Sequence, residues 1–334
     1  MNNRQKLVVV LGMHRSGTSV VARGLMVLGV SLGNSLLPSQ HDNIKGFWED
    51  SDIKILNQDM LRHLGRDWHS LSLMPEPELL IEQLVPFYWR AADLLASKMG
   101  TLDTFGFKDP RTCLLLPFWR HVFSQSHLDV KYIVVTRHPL SIARSLAARN
   151  HFKPEKSLYL WLAHMLSAIP EILDHAAVVV DYDRLIVQPE FELTRIAECL
   201  DLEGVETAPL KVYANEYLEA GLRHTCYQFE DMGPADMVSE DVVFAHKIFS
   251  RLATGEWPLD GAETREALFR LKTGLSARRD LLAYLDQCEL QLSTHEHRVS
   301  EFEAAIKRRD EKLSAHEHRV SEFEAAIKRR DEKL

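Results

Sequence analysis

One stretch near the start of the chain, VVVLGMHRSGTSVVARGL (Val8 to Leu25), combines residue types that can hold an oxyanion. An apolar run enters Gly12-Met-His-Arg-Ser-Gly17-Thr18-Ser19, and a helical pattern leaves it. The two glycines and the final hydroxyl keep the spacing of the nucleotide loop G-x-x-x-x-G-K-[ST]. In that loop the lysine reaches the β- and γ-phosphates and the hydroxyl holds magnesium. Here the lysine position is Thr18, and the cation is Arg15, inside the turn. Backbone N–H groups and a helix N-terminus still favour an anion at such a turn. The pattern suits a short phosphate-like group better than a magnesium triphosphate. The glycine spacing taken alone also fits an ordinary tight strand–helix turn.

Two further clusters could act beside it. In YIVVTRHPLSIARS (132–145) a strand ends, Arg137 follows, and Ser145 comes eight residues later on the next helix. An arginine at the carboxyl end of a strand faces the ligand crevice of an open α/β sheet. Arg137 and Ser145 could then share one phosphate, although each alone reads as a surface ion-pair arginine and a helix serine. In Gly106-Phe-Lys108-Asp109-Pro-Arg111 a lysine and an aspartate again follow a short apolar run. By itself that is a structural ion pair; beside two anion sites, Lys108 is a candidate for charge stabilisation.

The elements that must position these residues are short. Apolar runs at Lys6–Leu11, Phe105–Phe107, Tyr132–Thr136 and Ala177–Val180 lack alternation, as in a parallel sheet covered on both faces. Helical patterns lie over Thr18–Leu28, Ser51–His63, Glu76–Lys98, Leu115–Ser124, Leu140–Arg149, Lys156–His175 and Glu190–Cys199. This alternation predicts an α/β fold: a P-loop-type three-layer domain with a central parallel sheet, over residues 1–258.

The 334 residues carry a net charge of -8, which gives no general attraction to nucleic acid or an anionic membrane. An anion site must therefore be local. The four cysteines, Cys113, Cys199, Cys226 and Cys288, are scattered without metal-type spacing and read as reduced thiols. No apolar run is long enough for an integral membrane segment, and no signal peptide is visible, so a cytoplasmic location is expected.

After about Pro258 breakers almost vanish. Asp260-Gly-Ala-Glu263 reads as a capping box that would open a long helix. Residues 259–334 contain an internal repeat, 293–313 followed by 314–334, differing only at Thr294 and Ala315. Val299, Ile306, Leu313, Val320, Ile327 and Leu334 recur every seven residues, with Leu285 and Leu292 upstream. Phe302 and Phe323 supply a second row, interrupted by Arg309, His316 and Arg330. This is coiled-coil periodicity and predicts a homo-oligomer or a helical partner. Each repeat balances five acidic against five basic residues, so the net charge belongs to residues 1–292. His295 and His297 fall on different helix faces and do not suggest a metal site.

Loop, KDP segment and Arg–Ser pair, in this order, resemble the sulfotransferases that use 3′-phosphoadenosine 5′-phosphosulfate (PAPS). RSGTS is similar to their 5′-phosphosulfate loop, and Arg137 with Ser145 to their 3′-phosphate pair. KDP resembles the segment carrying a catalytic lysine in the tyrosylprotein branch. VVVDYDRLIVQPE (178–190) resembles that branch's segment after the fourth strand, and GFWED (46–50) resembles bacterial, carbohydrate-type members. The resemblance covers roughly residues 6–230 and leaves the repeats outside it. It implies metal-free, in-line transfer of a sulfuryl group from PAPS to an acceptor hydroxyl, of a carbohydrate or glycan precursor by branch. The product would be adenosine 3′,5′-bisphosphate. The missing lysine is then expected, because no γ-phosphate is bound.

The implied roles are specific. The N–H groups of Ser16, Gly17, Thr18 and Ser19 would hold the 5′-phosphosulfate, Arg15 and Lys108 would offset charge on the sulfuryl, and Arg137 and Ser145 would anchor the 3′-phosphate. Glu49 is the first choice for the base that receives the acceptor proton, with Asp50 and His41 as alternatives. Glu49 could equally be a plain acid ahead of a helix N-terminus. Tyr182 could pack near the adenine or be a core aromatic. Arg223-His224 could close as a lid, His14 could face acceptor or phosphate, and Trp48 and Trp68 could stack on a sugar. Two other classes remain: a P-loop kinase, disfavoured by the absent lysine and the lack of a clear Walker-B acid, and a non-catalytic nucleotide fold carried on a zipper.

Overall fold

A computed structural model describes residues 4–38, 46–202, 207–218 and 238–331. The chain divides by compactness into Met1–Asp280 and Leu281–Leu334. The first unit begins with β1 (Lys6–Leu11), α1 (Thr18–Leu25), α2 (Ser51–His63), α3 (Pro77–Leu84) and α4 (Tyr88–Met99). β2 (Thr104–Lys108), α5 (Thr112–Ser124), β3 (Asp129–Thr136), α6 (Pro139–Asn150), α7 (Pro154–Ala168) and β4 (Ala177–Asp181) follow. Then come α8 (Tyr182–Val187), α9 (Pro189–Leu200), α10 (Thr207–Val212), α11 (Glu240–Thr254) and α12 (Ala262–Ser276).

The four strands form a parallel sheet in the order β2-β1-β3-β4, with β1 and β3 central. Both faces are covered, which is why the strands read as unbroken apolar runs. Val8, Val10, Ile133, Val135, Val178 and Val180 pack with α1, α9 and Tyr213 on one face. Leu7, Val9, Leu11 and Val134 are fully buried on the other. The fold is thus the α/β arrangement with a central parallel sheet that the strand–helix alternation predicts.

Prolines set the departures in detail. The pattern over Glu76–Lys98 is two helices, because Pro86 sits in a tight turn, Val85–Phe87, between α3 and α4. The pattern over Lys156–His175 ends as an α-helix at Ala168, and Pro170 lies in the turn that follows.

The capping box expected at Asp260–Glu263 is not formed. Gly261 is the N-cap and no side chain caps it, while Asp260 O accepts from Arg265 Nε at 3.2 Å. The helix it opens stops at Ser276 and buries Leu268, Leu271 and Leu275 against α7 and α11. The long helix starts later: α13 runs from Arg279 to Asp331, 53 residues without a break.

Candidate active site

The register brings four of the candidate groups to one end of the sheet. Val10 lies opposite Lys108, Leu11 opposite Val134, and Thr136 opposite Asp181. The turn after β1, Lys108 at the end of β2, Arg137 after β3 and Tyr182 after β4 therefore emerge together. This carboxyl edge is where ligands bind in open α/β sheets.

The first turn is tightly built. Gly12 has φ 147, and a Cβ there would lie 2.7 Å from the Val135 carbonyl oxygen. Its N–H donates to Cys113 Sγ at 3.0 Å, and burial pushes the Cys113 thiol up to about 12. Gly17 has φ 95 and lies under the Tyr182 ring, in the space a Cβ would need. Arg15, with φ 69, adopts the left-handed conformation without being glycine. That backbone state is costly for a side-chain-bearing residue and clusters at ligand clamps. The Ser16 N–H, expected to face the anion, instead donates to Met13 O at 3.1 Å inside the turn. The Ser16 hydroxyl is buried with no hydrogen-bond partner among the described residues. Thr18 and Ser19 open α1, so their amides have no intrahelical acceptor. Ser19 Oγ donates to Phe47 O at 3.0 Å and ties the turn to the segment carrying Glu49.

Arg15, Arg137, Ser145 and Tyr182 meet beside this turn. Arg15 Nε donates to Ser145 Oγ at 2.7 Å, and Arg137 donates to the Arg15 carbonyl oxygen at 3.3 Å. The Arg137 guanidinium lies over the Tyr182 ring, 4.4 Å from its centroid. Arg137 Nε is buried without a hydrogen-bond partner among the described residues. Two guanidinium groups and a hydroxyl are thus held at one spot. Ser145 is engaged by Arg15 rather than by Arg137. Tyr182 is both a core aromatic, 4% exposed, and the platform under Arg137.

A second constellation joins β2 to the segment before α2. Lys108 Nζ lies 2.6 Å from Glu49 Oε1, and both side chains are buried. Arg111 stands 4.0 Å from Glu49 Oε2 and 2.8 Å from Asp109 Oδ1. Asp109 also accepts from Asn57 at 2.8 Å, and Asn57 accepts from Trp119 at 2.7 Å. This polar network anchors the KDP segment to α2 and α5. Trp48, with φ 53, turns the chain just before Glu49. Asp50 plays a separate, structural part. It caps α2 by accepting from Asp52 N and Ile53 N, and it pairs with Lys98 at 2.7 Å. His41 and Arg223-His224 lie outside the described residues.

His14 points to a third side. It is buried, and its ring packs on Trp68 at 4.2 Å and faces His164 at 6.4 Å. Burial, then the charge of Arg111, holds His14 well below the ordinary imidazole range. Trp68 also meets Phe152 at 5.8 Å and Arg149 at 5.6 Å. Trp48 lies elsewhere, bonded to Tyr217 OH at 2.9 Å with Arg23 over its ring. Arg111 and His164 carry no role in the sequence reading. Only the position of Arg111, two residues after Asp109, hinted at it; His164 lies within an apolar helix pattern. Among the described residues, no group of three or more His, Cys, Asp or Glu could hold a metal ion. Nor is any helix there long and apolar enough to cross a membrane.

No family model and no curated protein matches the chain. Among solved structures the chain is similar to the sulfotransferase domain of the Synechococcus olefin synthase, with 17% identity over 83% of this chain and 96% of that one, TM-score 0.37. It is similar to a Mycobacterium tuberculosis sulfotransferase, with 14% identity over 64% and 72%, TM-score 0.37. It is also similar to the sulfotransferase domain of the curacin biosynthetic pathway, with 15% identity over 80% and 98%, TM-score 0.36.

Proposed function

We propose that this chain is a PAPS-dependent sulfotransferase. One observation carries the reading. Arg15, Arg137 and Ser145 gather beside a glycine-bounded turn, and a buried Lys108–Glu49 pair ends the neighbouring strand. The residues fit a nucleotide with two separate anionic ends. The Thr18 and Ser19 amides and the buried Ser16 hydroxyl suit one end; Arg137 Nε and the Ser145 hydroxyl suit the other.

When bound, PAPS supplies an activated sulfuryl group. The chain's own residues then position and neutralise charge, as in phosphoryl transfer. In this reading Lys108 faces the bridging oxygen and offsets its growing charge. Glu49 accepts the acceptor hydroxyl proton, which requires it to loosen from Lys108. Arg15 either stays on Ser145 and shares the 3′-phosphate or swings toward the sulfuryl. Tyr182 supports Arg137 and the adenosine. Arg223 is proposed as a lid residue on the resemblance alone. The half-buried Trp68, beside His14, is the surface offered to a carbohydrate acceptor.

Calorimetry with adenosine 3′,5′-bisphosphate, PAPS and Mg-ATP tests the reading. The bisphosphate is expected to bind without magnesium, and labelled PAPS then to transfer label to an acceptor carbohydrate. Binding of Mg-ATP with no response to the bisphosphate would overturn it in favour of a kinase.

A further inference from the structure

We propose that α13 pairs with the same helix of a second copy of this chain, parallel and in register, as a two-stranded coiled coil. The apolar rows along α13 are open to solvent. Val299, Ile306, Leu313, Val320 and Ile327 are 44–61% exposed, and the Phe302 and Phe323 side chains stand out further still, at 62% and 70%. Repetition every seven residues over this length is a surface built for another helix.

Charge identifies the occupant and its direction. The residue before each of these first-row positions is Arg298, Ala305, Lys312, Arg319 or Ala326, so that edge is basic or neutral. The residue four after each is Glu303, Asp310, Glu317, Glu324 or Asp331, so the other edge is wholly acidic. In a parallel pair the basic edge of one helix faces the acidic edge of the other, five residues further on. Arg298 then meets Glu303, Lys312 meets Glu317 and Arg319 meets Glu324, twice over by symmetry. In an antiparallel pair of identical helices, acid would face acid and base would face base. Such edge charges set partner choice and orientation. A helix with one acidic and one basic edge complements a copy of itself only when parallel.

The imperfect second row fits the same arrangement. In a parallel pair each second-row residue is flanked by an acidic-edge residue of the other helix. His295, Arg309 and His316 thereby lie beside Glu296, Asp310 and Glu317 of the second copy. Val299, Ile306, Val320 and Ile327 put β-branched residues in the first row, as two-stranded coils do, while phenylalanine rather than leucine fills the apolar second-row positions. A slip by one 21-residue repeat preserves the pattern but gives up about half the pairs, so full register prevails.

The test uses the full chain. Sedimentation equilibrium is expected to give a dimer. Reversing the acidic edge (E303K, E317K, E324K) should weaken it about a hundredfold or more, since three attractive pairs on each side become repulsive. Mixing this variant with the basic-edge variant (R298E, K312E, R319E) should restore a dimer. Orientation is read from H295C in a chain whose Cys199, Cys226 and Cys288 are serine; mild oxidation should give a covalent dimer. A monomer at tens of micromolar, a trimer, an undisturbed dimer after reversal, or a dimer that H295C fails to link would each overturn the proposal.

Discussion

Arg15 Nε donates to Ser145 Oγ at 2.7 Å, so the first glycine-bounded turn is bonded to a helix 130 residues further along the chain. Arg137 closes the same corner by donating to the Arg15 carbonyl. In the proposed function this corner receives the 3′-phosphate. Removing one hydrogen bond to a charged group costs roughly 1.5–3 kcal/mol. Ser145→Ala and Arg137→Ala should therefore each weaken adenosine 3′,5′-bisphosphate binding about 10- to 100-fold. Arg15→Ala separates two roles. A loss of bisphosphate affinity with a similar turnover keeps Arg15 on the 3′-phosphate; a loss of turnover alone moves it to the sulfuryl. Titration calorimetry and PAPS turnover together decide this. An Arg137→Ala variant that binds the bisphosphate normally would remove the donor assignment.

The Lys108–Glu49 pair has two expected consequences that differ in kind. As a proton acceptor, Glu49 is worth about 10²- to 10⁴-fold in rate, and Glu49→Gln should lose that in kcat while bisphosphate affinity holds. As a buried pair at 2.6 Å, its disruption also costs stability. Lys108→Met leaves Glu49 with Arg111 as its nearest cation, at 4.0 Å, and should destabilise the fold by about 3 kcal/mol. Urea unfolding measures the second effect and single-turnover kinetics the first. If Glu49→Gln retains full turnover, Glu49 is only a structural partner of Lys108.

Gly17 offers a steric test. Its φ of 95 disfavours any side chain, and the Tyr182 ring fills the space a Cβ would take. Gly17→Ala should displace Tyr182, and with it the platform under Arg137. The expected result is loss of bisphosphate binding in a chain that still folds, since β1 and α1 are otherwise untouched. Gly17→Ala should cost less stability in a Tyr182→Ala chain than in the parent, seen as a smaller drop in Tm across the double-mutant cycle. An equal drop in both would show that the backbone angle, rather than the ring, is limiting.

How much of this was legible in the sequence follows from the range of each interaction. The sheet was readable because strands buried on both faces leave unbroken apolar runs, and β1 begins and ends where KLVVVL does. Arg15, Lys108, Arg137 and Ser145 were readable as candidates because each follows a strand or sits on the next helix. Their mutual partners were not. Nothing local says that Ser145 takes Arg15, or that Arg111 approaches Glu49 across 62 residues. Asp50 stood as an alternative to Glu49, and only its cap on α2 and its pair with Lys98 give it a separate place. The end of α12 escaped because no proline follows it and its glycine, Gly274, lies inside the helix rather than at the break, which falls at Ala277-Arg278.

His164 makes the last prediction, because its burial has a pH signature. It is fully buried on α7, and its Nδ1 lies 2.8 Å from the Leu160 carbonyl, which can only accept, so Nδ1 carries the proton. Burial is the main cause that brings the group down to about 4, with the Arg111 charge acting in the same direction. An unfolded histidine titrates near 6.5. Between these values the unfolded chain binds a proton that the folded chain refuses. The stability that His164 contributes is complete above about 6.5 and is lost as pH falls toward 4. From pH 7 to pH 5 this removes about 2 kcal/mol. All six tryptophans lie between Trp48 and Trp257, so their fluorescence follows unfolding of the first unit without interference from the repeats. Urea titrations at the two pH values should show the decline in the parent chain. In His164→Gln, which keeps a donor for Leu160 but cannot titrate, the decline should shrink by about 2 kcal/mol. His14 and His246, both also lowered, leave a residual slope in that variant. An unchanged slope would mean that His164 titrates in the folded chain as it does in the unfolded one, and with it that burial and the Arg111 charge do not lower it as described.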